Sequence, residues 1–596
     1  MGSGKNGGRL WMTMGGAKGM EGKEKEYDVV IIGGGLAGLT CGLYLQEAGL
    51  NVLILERSPR AGGLTSSWQV HEQGNPEGKQ FVRQYLGEED IVLQYPMHMV
   101  FRQRYPNLVD VYRHLGILDT RLTEPLKEFH IIDSRSVRHV FKMEDSILPA
   151  PLHSLKTIFG LKMGIVDRLS FLFAGLPILY LGSSLNCERP SVSFWDMVSM
   201  ESLLKSAWVT ERARDFVASY VPSIFNLDSM EVNARRMAAI TYGVLFMTKR
   251  GLWYQLVNDN YITGVVEPHV KRFTDAGGTL KLNCEVRRIV HHETGVEKIL
   301  YQDLGKGIWI VCPGCGCKQP VFDEGFCRNC GLRWTMRSSC EVSRPQLELP
   351  VGEETQEVAG KYYVAAVRGH QLVPLLGSDS PLRAHPYFQN LGRERGACLS
   401  VARIFFDRKI TEEKFITGTS RRVFTFNGCQ DIGNIMPRYH PYPGSVIDVL
   451  ADRAESLQLL SVGEFLGRVI RDLARVWPKA EQAEVKLALG AHIRPPVLYH
   501  KEVPRLPGER NRWVKTPLEN LLACNCSLGL VGIGMESAYQ AGKLAANGIL
   551  EREAKPTVPV YGFPKYKTGF LVRTSYRLIG FLGRIYDFLG RVLTSI

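Results

Sequence analysis

The residues best placed to do chemistry are the glycines Gly33, Gly35 and Gly38, the acidic Glu56, and the segment Arg60-Ala-Gly62-Gly63. Before the first glycines runs Asp28-Val-Val-Ile-Ile, which reads as a fully buried parallel strand, and Val52 to Leu55 reads as a second. Leu36, Leu39, Leu43 and Leu45 lay an apolar stripe along a helix between them. In that setting Gly33 permits a tight turn, Gly35 lets backbone approach a pyrophosphate, and Gly38 lets helix pack on strand. The free N–H groups of the helix start then meet phosphate oxygens. Glu56, 18 positions beyond Gly38, can accept hydrogen bonds from a ribose. The chemistry implied is dinucleotide binding, and both NAD and FAD satisfy this much.

The elements that position these residues must come from a large chain. At 596 residues with 45% hydrophobic content, two or three domains with a substantial core are expected. A transmembrane protein is not expected: the longest nearly charge-free stretch, Leu169 to Asn186, contains Pro177 and several polar or small residues, and fits an interfacial or buried helix. The net charge of +13 favours anionic surfaces such as phospholipid headgroups or nucleic acid. Residues 1–26, rich in Gly and Lys early on and without an apolar h-region, read as a disordered leader and not a signal peptide. Of 13 cysteines, five lie between 312 and 330, which points to metal ligation in a reducing compartment and a protein facing the cytoplasm.

Several motifs carry a family resemblance. Arg60-x-Gly62-Gly63 looks like the second phosphate-contacting turn of the flavin amine oxidase superfamily, which tips the cofactor to FAD. Pro96-Met-His98, Tyr105-Pro-Asn-Leu, Asn233-Ala-Arg235 and Gly264-Val-Val-Glu-Pro268 resemble the plant and cyanobacterial type of phytoene and zeta-carotene desaturases. Thr516-Pro, Met535-Glu536, Ala538, Gly542 and Ala545-Ala546 resemble that family's C-terminal FAD motif. The resemblance implies cofactor contacts at Gly33, Gly35, Leu36, Ala37, Gly38, Glu56, Arg57, Arg60, Gly62, Gly63, Val286 (backbone against adenine), Asn525, Met535 and Glu536. It places His98 and Arg102 near the flavin and the reacting carbons, with His98 equally readable as a hydrogen-bonded core residue. Ala523-Cys524-Asn525 departs from the family's Ala-Gly-Asp, so an amide stands where a carboxylate is usual; Ser537 and Ala541 depart similarly.

The expected fold is α/β: a Rossmann-like FAD-binding domain of the amine oxidase type with an inserted substrate domain, a small zinc ribbon and a C-terminal amphipathic helix. FAD-binding parts fall at 27–100, 255–308, 355–380 and 511–555, and substrate-domain parts at 101–254 and 381–510. Within the cofactor half, Thr279 to Ile289 and Thr516 to Ala523 read as strands, and Met535 to Ala546 as a helix. No internal repeat is visible. At 309–342, Cys312-x-x-Cys315 and Cys327-x-x-Cys330, with 11 residues between the pairs, can hold one tetrahedral ion: zinc, with iron in a rubredoxin-like site as the alternative. Its role reads as a staple for a long loop, with docking of a protein partner as a further one.

Over 565–596, Arg577, Arg584 and Arg591 recur on one stripe against Leu578, Phe581, Ile585, Phe588 and Val592. That is an amphipathic helix, docked either on a membrane surface or in a groove of its own protein. The function implied by the resemblance is FAD-dependent oxidation of a carotenoid or related polyisoprenoid, desaturation above all, with a quinone or oxygen as acceptor. Nucleic acid is not an expected partner. Isomerisation, squalene-type dehydroxylation, amine oxidation and a non-catalytic flavoprotein scaffold are the alternatives.

Overall fold

The computed structural model describes residues 27–65, 68–70, 81, 84–85, 91–94, 99–142, 158–171, 197–225, 229–235, 237–238, 253–304, 309–311, 318–320, 346–348, 355–392, 395–416, 418–452, 454, 456–500, 514–526, 528 and 534–562. His98, Cys312, Cys315, Cys327, Cys330 and the tail at 565–596 lie outside the described residues.

At the centre of the cofactor half stands a five-stranded parallel sheet. Its strands are β1 (Tyr27–Ile32), β2 (Val52–Leu55), β3 (Thr279–Lys281), β4 (Gly360–Ala365) and β5 (Leu521–Ala523), in the order β5-β4-β1-β2-β3. Val30 faces Tyr363 of β4 on one side and Leu53 of β2 on the other. Being hydrogen-bonded on both edges and covered on both faces explains why Val29, Val30 and Ile31 are all inaccessible and why the strand shows no polar alternation.

Three helices cover one face: α1 (Leu36–Glu47), α3 (Glu267–Asp275) and α5 (Gly534–Leu550). A fourth, α2 (Pro106–His114), packs against α5. Close approach of α1 and α5 depends on Gly542, where a β-carbon would stand 2.6 Å from the Ala37 carbonyl oxygen. Because α1 lies between the sheet, α3 and α5, all of Leu36 to Leu45 is buried, a wider burial than the single leucine stripe predicts. The other face of the sheet packs on an antiparallel sheet of Cys284–His291, Val296–Asp303 and Thr355–Val358, where Val286, Ile289, Ile299 and Tyr301 join Val30, Leu53 and Leu55 in one core.

Two expected strands change. The run Thr279 to Ile289 breaks after β3, because Asn283 adopts φ 56 and its N–H bonds the Ser58 carbonyl, sending the chain into the antiparallel sheet. Asparagine tolerates this left-handed conformation. The run Thr516 to Ala523 shortens to β5, since Thr516 Oγ1 accepts the Leu518 N–H and donates to the Leu521 carbonyl, folding the Pro517 segment into a turn. β4 sits inside the 355–380 cofactor segment and was not distinguished there as a strand; it separates β1 from β5.

The second half is built on a five-stranded antiparallel sheet: Phe415–Ile416, Gly428–Asp431, Val446–Asp452, Arg395–Phe406 and Val485–His500, in that spatial order. Alternation along Arg395–Phe406 sends Ile404 and Phe406 to one face, under α4 (Val462–Val476), and Val401 and Phe405 to the other. Ser461 and Glu464 close a reciprocal cap at the start of α4. The face away from α4 meets Phe101, Phe129, Tyr254, Tyr439 and Tyr442, and Leu64 packs against this cluster. Leu64 follows Gly63, so the aromatic face borders the second glycine turn.

Candidate dinucleotide site

β1 ends at Ile32, and the chain turns at Gly33 into α1. The turn requires glycine: Gly33 has φ +104, and a β-carbon there would lie 2.8 Å from the Ala366 carbonyl oxygen. At Gly38 the constraint is steric, since an added β-carbon would meet the Gly33 carbonyl oxygen at 2.1 Å. Gly35 caps α1 in an extended conformation, without a side-chain hydrogen bond, and no acidic residue occupies the first turn. The start of α1 thus has no side-chain cap or acidic residue of its own, which leaves its positive dipole end suited to an anion.

The second turn closes over the first. Gly62 N–H donates to the Gly34 carbonyl at 2.8 Å, and Gly35 and Gly62 form a parallel bridge. The absence of side chains at Gly35 and Gly63 lets the two backbones nearly touch, since a β-carbon on Gly63 would lie 3.2 Å from the Gly35 α-carbon. Leu36 and Ala37 are buried at the helix start; Arg57 and Arg60 are half-buried beside the cradle.

Glu56, 7% exposed, ends β2 with its carboxylate fixed: Gly34 N–H donates to Oε2 at 2.7 Å and Ser58 N–H to Oε1 at 2.9 Å. Each oxygen retains a lone pair, so a vicinal diol can be gripped by a pre-oriented carboxylate. Val286 lies on Cys284–His291 where the register shifts between Val286 and Arg288, so the ladder is interrupted at the residue whose backbone is expected to serve adenine.

The remaining residues fall into two groups. Asn525 follows β5 and donates from Nδ2 to the Val367 carbonyl at 3.0 Å, tying the ends of β5 and β4 together. An aspartate could not make this donation. Met535, 6% exposed, and Glu536 open α5. Glu536 is turned toward α2: Asn107 Nδ2 donates to Oε1 at 2.7 Å and Leu108 N–H to Oε2 at 2.7 Å. Its carboxylate is thus an acceptor for the α2 N-terminus, and burial pushes its pKa up to about 8 against the pull of these bonds and of Lys543. Lys543, one turn pair along α5, is fully buried and paired with Asp110 of α2. Arg102 pairs with Asp119 at 2.7 Å and donates to the Leu118 carbonyl, with its side chain 41% exposed.

Sequence reasoning missed the end of β4. Ala366 backs Gly33; beyond it Arg368 brings positive charge beside Arg57, with His370 between them in the electrostatic sense. Burial, then Arg368 and Arg57, push the His370 pKa down to about 4. The signal was present in Tyr362-Tyr-Val-Ala-Ala366 followed by Gly369, a short apolar run before a helix start. Among the described residues there is no cluster of three or more metal-capable side chains, and no helix long and apolar enough to cross a membrane.

The diphosphate of a flavin dinucleotide fits this arrangement: two interlocked glycine turns, an open helix N-terminus, flanking arginines and a buried, half-satisfied glutamate. Comparisons agree with it. The NAD(P)-binding Rossmann-like domain family matches residues 31–115. The 15-cis-phytoene desaturase of Capsicum annuum is 21% identical over 88% of this chain and 78% of its own length. That of Synechococcus elongatus is 20% identical over 88% of this chain and 96% of its own. Among solved structures, an oxidoreductase from Methanosarcina mazei matches 88% of the chain and 99% of its own with a TM-score of 0.56 at 14% identity. Cyclohexylamine oxidase from Brevibacterium oxydans matches 89% and 100% with a TM-score of 0.55 at 14% identity. The chain has the fold of these oxidases with a dinucleotide-binding glycine cradle, and a distant similarity to the phytoene desaturases.

Proposed function

We propose that the protein is an FAD-dependent oxidoreductase that removes hydrogen from a carotene or related polyisoprenoid, as a zeta-carotene type desaturase does. The observation that carries this reading is the cradle at residues 33–63 within a chain similar to phytoene desaturases over nearly its whole length. FAD held there supplies a two-electron acceptor. The glycine turns and Glu56 would hold its diphosphate and ribose. Phe101, Phe129, Tyr254, Phe405 and Tyr442 form an aromatic wall beside the second glycine turn, suited to aligning a polyene and excluding water. His98 and Arg102 are the proposed polar groups near the reacting carbons, with a quinone or oxygen as final acceptor.

One observation favours a second reading, amine oxidation or squalene-type dehydroxylation. The aromatic wall carries a buried polar group at its centre: Arg403 Nε and Nη2 donate to Asp448 at 2.6 and 2.9 Å, and Nη1 donates to Tyr439 at 2.6 Å. A pair so costly to desolvate suits a substrate with one polar end. The test is anaerobic bleaching of the visible flavin band, near roughly 450 nm, by a panel of carotenes, hydroxylated polyisoprenoids and amines. Bleaching by carotenes alone supports desaturation; bleaching by the others alone supports the second reading; protein that neither carries nor regains a flavin overturns both.

Two accessory features complete the proposal. Zinc, or iron, is held by Cys312, Cys315, Cys327 and Cys330. In support, the first pair lies between Trp309–Val311 and Lys318–Pro320, antiparallel neighbours in a sheet completed by Gln346–Glu348. Metal analysis of the purified chain, before and after replacement of Cys312 and Cys327, tests this. The amphipathic tail at 565–596 rests on a membrane surface at the cytoplasmic side, close to where a polyene dissolves, and the ribbon offers a docking face for a protein partner.

A further inference from the structure

Four polar residues of α5, Glu536, Gln540, Lys543 and Asn547, stand on one stripe at spacings of four, three and four. Such a stripe ordinarily faces solvent, yet Glu536, Gln540 and Lys543 are at most 1% exposed. What covers them is the chain that follows. After Leu550 the backbone reverses through Ala554, at φ 52, and Lys555 N–H returns to the Leu550 carbonyl at 2.9 Å. The next residues run back along the helix toward its start, so that Val558 meets Asn547 and Tyr561 meets Gln540.

The stripe grips this segment by its backbone. Asn547 forms a two-bond clamp on Val558, accepting its N–H at Oδ1 and donating from Nδ2 to its carbonyl, at 2.8 Å each. Lys543 Nζ donates to the Pro559 carbonyl at 3.2 Å, and Gln540 Nε2 to the Tyr561 carbonyl at 3.0 Å. From α2, Asn107 repeats the clamp on Tyr561: Oδ1 accepts its N–H at 3.0 Å and Nδ2 donates to its carbonyl at 2.9 Å. Pro559, between the clamps, has no N–H to satisfy.

At Asn107 the segment meets the start of α5. The amide nitrogen that bonds Tyr561 also donates to Glu536 Oε1 at 2.7 Å, and the Leu108 N–H bonds the other carboxylate oxygen at 2.7 Å. Leu108 lies in the first turn of α2, where an N–H has no acceptor within its own helix, so its protection reports on Glu536. Lifting the segment takes two bonds from Asn107 and a carbonyl acceptor from the fully buried Lys543, both unfavourable away from water.

We propose that residues 558–561 act as a strap whose seating, passed on by Asn107 as a positioning residue, fixes Glu536 and with it the start of α5. The consequence for cofactor affinity rests on the flavin reading above; the coupling itself does not.

The test is amide hydrogen exchange on the full chain, read residue by residue. Asn547→Ala removes both bonds at Val558, three turns along the helix from Glu536, and speeds exchange at Val558, Tyr561 and Leu108 by about fivefold or more. Asn547→Asp keeps the acceptor for the Val558 N–H and gives a smaller effect. Fast exchange at Val558 with Leu108 unchanged overturns the proposal, and so does a Val558 no faster than in wild type. Because coupling is reciprocal, added FAD slows exchange at Val558 and Tyr561 in the unmodified chain, a readout that stands even where Asn547→Ala does not fold. Equal exchange with and without bound FAD removes the link to the cofactor site. A chain that binds no flavin still answers through Leu108, so failure of the strap is distinct from failure of the proposed activity.

Discussion

At Gly38 one methyl group decides whether the cofactor half can form its cradle. A β-carbon there overlaps the Gly33 carbonyl at 2.1 Å, and that carbonyl belongs to the turn that presents the phosphate-facing N–H groups. Gly38→Ala is expected to push α1 off β1 and to weaken FAD binding by at least about tenfold, read as flavin retained through gel filtration. Unchanged retention would show that phosphate is held elsewhere. At Glu536 the controlling factor is burial. Its folded pKa of about 8 lies above the ordinary 4.5, so the protonated acid is favoured by folding. The stabilisation is complete below about pH 4.5 and is lost as pH rises toward about 8, because the unfolded carboxyl ionises first. Glu536→Gln should therefore be the less stable form at low pH, where one acceptor for the α2 N–H groups is missing, and should lose less stability than wild type between these limits. Parallel melting-temperature profiles for the two proteins would contradict this.

At the level of elements, the chain's connectivity turns on Asn283. It ends β3 in the parallel sheet and starts the strand that carries Val286, in a left-handed conformation at φ 56. A β-branched residue there is penalised by about 1–2 kcal/mol. Asn283→Val should lose about that much in chemical unfolding and loosen the adenine side of the site, whereas Asn283→Gly should stay close to wild type. Equal losses for both would mean that the amide side chain, and not the backbone angle, matters. The same residue shows what was legible in the sequence. Thr279 to Ile289 has uniform strand character, and only a long-range bond, Asn283 N–H to the Ser58 carbonyl, decides that it bends. The glycine turns, β1, β2 and α5 were readable because turn chemistry and apolar periodicity are local. β4 was not distinguished, because its apolar run has neither the glycine turn that follows β1 nor the acidic residue that ends β2 to mark it. The buried pair of Lys543 and Asp110, separated by 433 positions, and the Arg403–Asp448 pair were invisible for a related reason: nothing near a charged residue announces the partner that will compensate its burial.

For the molecule as a whole, the proposed function requires the cofactor cradle, the aromatic wall and a lipid-facing tail to work together, since a polyene would be delivered from a bilayer and not from water. One membrane contact is proposed, the amphipathic tail. α5 leads into the tail through a segment fixed against α2: Tyr561 N–H donates to Asn107 Oδ1 at 3.0 Å, and Asn547 exchanges hydrogen bonds with Val558 at 2.8 Å each way. The described chain is therefore held to the cofactor half as far as Tyr561, a few residues before the tail begins in sequence. Deleting residues 571–596 should reduce flotation with anionic vesicles strongly. Raising salt should weaken the contact only in part, because apolar burial exceeds the roughly 1 kcal/mol per basic side chain that the surface potential contributes. A truncated chain that floats as well as the full one would assign the tail to a groove of its own protein.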